Sequence, residues 1–160
     1  MDKLNGDLLL QLTNAPLDLF VEDKIFNDFK VFRPLQFLGL LAQEEENLNA
    51  IKKASKSNIM PSMIVSASKR MNIATSMHAK ELYGIDFISQ YPATKMDIDC
   101  AKDLYEEYKA YQGYMLGEEY DLVTYYAESL GLDKYVTVDS EKRFQTSTGK
   151  SFEEVEEEYE

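Results

Sequence analysis

Tryptophan is absent from this 160-residue chain, and cysteine and histidine occur once each. A lone Cys100 excludes an internal disulfide and a multi-cysteine zinc site. A lone His78 excludes the paired Glu-x-x-His motifs of a di-iron helical bundle. No apolar run approaches the roughly 20 residues that a bilayer-spanning helix requires. Bases are also scarce: 17 against 29 acids, a formal charge of −12. Such a balance favours solubility and argues against direct nucleic-acid binding. It leaves room for a basic protein partner or for imitation of a polyanion. The leucine-rich opening, MDKLNGDLLLQL, lacks a basic n-region and carries Asp2 and Asp7, unlike a secretion signal. The expected location is the reducing cytoplasm, or a virion if the protein is viral.

What is present is enough for a core. The chain is 44% hydrophobic and 29% charged, close to the globular average. The expected architecture is mainly α: a single-domain helical bundle of about five helices over residues 1–150. It carries a small C-terminal β-hairpin and an acidic tail or short helix at 151–160.

Periodicity and breakers set the elements. Residues 4–12 suit a short helix or a strand. Asn14 is placed to cap a following helix, with Pro16 in its first turn. Leu17, Phe20, Val21, Ile25, Phe29 and Phe32 recur at helical intervals until Arg33-Pro34 interrupts them. A helix over 35–56 is expected to bury Leu35, Leu38, Leu41, Leu48 and Ile51. Glu44, Glu45 and Glu46 precede Lys52, Lys53 and Lys56, an order that suits the helix dipole. Pro61 then opens a helix to Tyr83, with Gly84 as its stop. Met60, Ile64, Ala67, Met71, Ala74, His78 and Leu82 form its packing seam, small enough for another helix to approach closely.

Thr94-x-x-Asp97 is a capping-box pattern and predicts a helix from there to about Leu116. Gly117 separates it from a helix over 118–130, which Gly131 closes. YVTV and RFQTS around DSEK predict the hairpin.

Residues 103–130 hold seven of the eleven tyrosines. At 100° per residue, Tyr105 and Tyr108 share an arc with Ile98, Ala101, Leu104 and Met115, and Tyr111 lies at its edge. Leu122, Val123, Tyr126 and Leu130 form the corresponding arc of the next helix. Most of these phenols therefore suit a core, body inward and hydroxyl at the rim. Tyr114 and Tyr125 fall outside both arcs and become candidate contact residues, since tyrosine offers large area with few torsions to freeze.

Catalytic sets are missing. His78 sits on an apolar seam, where a satisfied core histidine is the ordinary reading; Glu81 lies within local reach. STGKS at 147–151 ends like a phosphate loop, but Phe144 stands where the first glycine belongs. DIDCAKDLYEE lacks the glycine and alternating ligands of a calcium loop. Glu106, Glu107, Glu118 and Glu119 form two acidic pairs that neighbouring helices would bring near each other. No catalytic residue, cofactor or metal ligand is assigned.

Charge is segregated. Residues 47–80 contain six bases and no acid, so the remainder carries −18. Lys69 and Lys80 share a helical face. Internal neutralisation, contact with an acidic face of another copy, and phosphate binding compete for it. No Phe or Tyr lies between 38 and 82 to stack on a base. The expected function is a non-catalytic interaction or assembly subunit with a protein partner or a homo-oligomer. Its interface would draw on Tyr114, Tyr125, Lys69, Lys80 and the four paired glutamates, and a viral structural or accessory subunit fits the same description. The alternative is an acidic inhibitor that mimics nucleic acid. A carboxylate or tyrosine enzyme ranks third.

Overall fold

A computed structural model describes residues 2–57, 60–111 and 119–136, together with Gly149. The described chain is mainly helical, with five α-helices and no strand among the described residues. These are α1 (Asp2–Asp28), α2 (Arg33–Lys56), α3 (Ser62–Tyr83), α4 (Lys95–Ala110) and α5 (Glu119–Ser129). Short 3-10 turns at Lys30–Phe32 and Ile88–Gln90 interrupt the connections. The expected hairpin, the acidic tail, Tyr114 and Glu118 lie outside the described residues.

Helix α3 is the centre of the bundle. It packs on α1, α2 and α4, while α5 closes against α1 and α4. Its role explains its composition. Ala67, Met71, Ala74 and His78 are buried as the periodicity predicts, and Asn72, Ile73, Ser76 and Ala79 are buried as well. A helix with three neighbours needs more than one inward stripe, and small residues keep the axes close. Gly84, at φ 73°, ends α3 in the left-handed region, which glycine enters without a Cβ clash.

Helix α4 matches its signals closely. Thr94 accepts from the Asp97 backbone N–H, and the Asp97 carboxylate accepts from the Thr94 N–H, completing the capping box. Ala101, Leu104, Tyr105 and Tyr108 are buried, and so are Leu122, Val123, Tyr126 and Leu130 on the next helix. Helix α4 ends at Ala110 rather than near Leu116, and Ile98 is exposed at its edge.

Two further expectations fail. Helix α1 does not restart at Asn14; it runs unbroken through Pro16. Proline inside a helix forfeits a hydrogen bond and crowds the preceding turn, at about 3 kcal/mol. Here Pro16 lies fully buried between Leu12 and Leu19, one stripe along the core side. Burial of that stripe, at about 1.5–3 kcal/mol per large side chain, offsets the lost bond.

The second failure is the rotation of α2. Its buried side is Gln36, Leu40, Glu44, Leu48 and Ile51, not a stripe led by Leu35 and Leu38. Those two leucines are 66% and 57% exposed. Glu44, on the buried side, is fully enclosed: Ser76 Oγ donates to its Oε2, and Tyr91 Oη approaches the same oxygen at 3.4 Å. A carboxyl with such partners can be turned inward where an unpartnered one could not.

Candidate functional site

The polar groups of the bundle are largely spent on one another. Asp97 receives Lys69 Nζ at 2.7 Å, Arg70 Nε at 3.0 Å and Ser66 Oγ at 3.1 Å, beyond its own cap. Burial raises the Asp97 pKa, but hydrogen bonds from Lys69, Thr94 and Arg70 outweigh it and hold the carboxyl well below its ordinary value. The Lys69 side chain is only 12% exposed and also donates to the Pro92 carbonyl at 3.2 Å. Lys80 is exposed and pairs with Asp86 at 2.8 Å. Both lysines therefore have acidic partners within the chain.

The tyrosine-rich helix meets α1 and α3 at a second cluster. His78, buried, lies edge-on to the rings of Tyr105 and Tyr108, which stack with centroids 5.9 Å apart. Tyr108 Oη donates to Asp23 Oδ2 on α1 and approaches the Leu19 carbonyl at 3.2 Å. Tyr105 Oη donates to Glu81 Oε2 at 3.0 Å, which also accepts from Lys109 Nζ at 3.1 Å. His78 Nδ1 faces Tyr105 Oη at 3.3 Å, and Nε2 faces Asp23 Oδ1 at 3.6 Å. Burial pushes the His78 pKa below its ordinary value, against the pull of Asp23 and Glu81. The imidazole is buried, and burial favours its neutral form. Its surroundings tie three helices together, and they leave no space at the ring for a substrate.

Tyr125 is half-buried against the core. It borders an open groove of about 760 Å³ with Arg70, Lys95, Met96, Cys100 and Ser129. Burial raises the Cys100 thiol pKa, and the thiol donates to the Ser129 carbonyl at 3.7 Å, the setting of an unreactive thiol. Glu106 is exposed and Glu107 half-exposed; of Glu119 only the backbone is described. Among the described residues, no three His, Cys, Asp or Glu side chains converge as metal ligands would. No described helix is long and apolar enough to cross a membrane.

Sequence reasoning missed the most conspicuous surface. Around the turn from α1 to α2, Phe29, Val31, Phe32, Leu35 and Leu38 all lie exposed, with Val31 at 80%. Phe29 and Phe32 stand with their ring centroids 6.5 Å apart. Scattered exposed leucines are ordinary, whereas a contiguous apolar patch marks a contact. Beside it runs a groove of about 340 Å³, lined by Glu22, Ile25, Phe32, Leu35, Gly39 and Gln43. Gly39 has open space where a Cβ would project.

The turn beneath the patch is well fixed. Arg33 Nε donates to the Phe26 carbonyl at 2.7 Å and its guanidinium lies 4.0 Å from the Phe26 ring centroid. Tyr83 Oη donates to Gln36 Oε1 at 2.7 Å, and its ring packs edge-on against Phe26 and Phe37. A signal for the patch was present in the sequence: α2 carries apolar residues on both sides of its first half, more than one inward face can absorb.

Comparison with protein-family models, with curated proteins and with solved structures yields no match. Function therefore rests on the geometry of this chain.

Proposed function

We propose that the chain is a non-catalytic interaction or assembly subunit that docks through the apolar patch at the α1–α2 turn. One observation carries the reading: five large apolar side chains lie exposed between Phe29 and Leu38, on a well-fixed turn and the helix it opens, while the opposite side of α2 is already occupied by the core. Leaving them in water forgoes on the order of 1–3 kcal/mol each, a cost that a docking role explains. The enclosed His78 and the mutual pairing of Lys69, Arg70 and Asp97 support the non-catalytic part, because these groups are engaged in holding helices together.

Affinity capture of the full chain from its native host, compared with a Leu35→Lys/Leu38→Lys variant, tests the reading. The variant is expected to keep its helical circular dichroism and lose the proteins captured by the parent chain. Identical captured sets from parent and folded variant would count against docking here.

A further inference from the structure

The occupant of this surface can be named. We infer that α2 pairs antiparallel with α2 of a second copy, through the stripe formed by Leu35, Leu38, Gly39 and Ala42; this deepens the docking reading above and rests on it.

At 100° per residue these four positions, with Glu46, fall within an arc of about 100°. Gln36, Leu40, Glu44, Leu48 and Ile51, the buried set, occupy the opposite side. The outer stripe is exposed along its length, from Leu35 through Ala42 to Glu46.

Shape favours a self-complementary pairing. In a two-fold contact one patch meets itself in reverse order. A twofold axis between Leu38 and Gly39 sets each large residue against a small one: Leu38 opposite Gly39, and Leu35 opposite Ala42. Leu38 of each copy then enters the groove beside Gly39 of the other, where the space is open.

Charge selects the direction. The turn just before the stripe carries exposed Lys30, with exposed Asp28 beside it already paired to Lys24, and the stripe's other end carries exposed Glu45 and Glu46. Antiparallel pairing brings Lys30 of one copy beside Glu46 of the other, twice over. Parallel pairing would set Glu45 and Glu46 against their own copies, a like-charge contact.

Area gives the strength. Leu35 and Leu38, 66% and 57% exposed, with Gly39, Ala42 and the flanking Val31 and Phe32, offer on the order of 400 Å² per copy. Two copies then bury about 800 Å², below the roughly 1,000 Å² of a stable specific interface. A weak dimer whose population depends on concentration is expected.

Sedimentation of the purified full chain between about 1 and 100 µM, spanning the micromolar affinity range, tests the pairing. The parent chain is expected to shift from monomer towards dimer. Leu38→Lys should shift the midpoint at least tenfold upward, without loss of helical signal. Lys30→Glu should weaken the dimer, and Lys30→Glu/Glu46→Lys should restore it. A parent chain that stays monomeric throughout, or a dimer indifferent to Leu38→Lys, overturns the pairing. A monomeric chain whose captured partners still depend on Leu35 and Leu38 overturns the pairing alone and leaves the docking reading standing.

Discussion

Ser76 of α3 donates its hydroxyl hydrogen to the carboxyl of Glu44 on α2, in the interior of the bundle. This bond joins two helices through a titratable group that water does not reach. Burial pushes the Glu44 pKa up, against hydrogen bonds from Ser76 and Tyr91 that lower it, to about 7. Among the described residues, the other carboxyl oxygen has no hydrogen-bond partner. Protonation relieves the enclosed charge, so the neutral acid is the comfortable form.

That arrangement makes stability depend on pH in a defined direction. The unfolded chain ionises Glu44 near 4.5 and the folded protein near about 7. The contribution is fully present below pH 4.5 and is lost as pH rises through 7. Across that window the change is on the order of 3 kcal/mol. Urea unfolding of the parent chain and of Glu44→Gln at pH 5 and pH 8 measures it. The glutamine variant is expected to gain on the parent at pH 8 and to lose most of that advantage at pH 5. An equal difference at both values would mean that Glu44 does not titrate between them.

The rotation of α2 has its own test. Leu40→Ala empties a core position and is expected to cost about 2–5 kcal/mol. Leu35→Ala and Leu38→Ala, at dilute protein, should each stay within about 0.5 kcal/mol. Denaturant midpoints at matched low concentration distinguish them. A reversed order would place Leu35 and Leu38 in the core after all.

His78 offers a clean titration because it is the only histidine. Burial lowers its pKa, while Asp23 and Glu81 pull upward. NMR of its ring carbons should show protonation below the usual value of about 6.5. Asp23→Asn removes an upward pull and should lower the midpoint further. A folded pKa below the unfolded value means that His78 is stability-neutral at high pH and destabilises the fold as pH falls below about 6.5. A midpoint above 6.5 in the folded chain would show instead that the carboxylates dominate.

Much of the helical plan was legible locally. Thr94 and Asp97 marked a helix start that neighbouring backbone groups complete by themselves, and Gly84 marked a stop that its own conformation permits. The faces of α4 and α5 were also legible, because each has one apolar arc and therefore one way to turn: Ala101, Leu104, Tyr105 and Tyr108 inward on one, Leu122, Val123, Tyr126 and Leu130 inward on the other. Lys69 was legible as a base on α3, but its acid partner lies 28 positions along the chain, at Asp97.

The sequence by itself determined the helices, most of their ends, and the inward side of any helix with a single greasy face, since propensity, capping and periodicity act within a few residues. Only the tertiary structure decided how α1 and α2 lie. Pro16 could stay helical because Leu12 and Leu19 carry it into the core. The first half of α2 is apolar on two sides, and periodicity cannot choose between them. The buried side takes Leu40, Leu48 and Ile51 into the core, where Ser76 and Tyr91, 32 and 47 positions beyond Glu44, give its carboxyl hydrogen-bonding partners, and Leu35 and Leu38 are left at the surface.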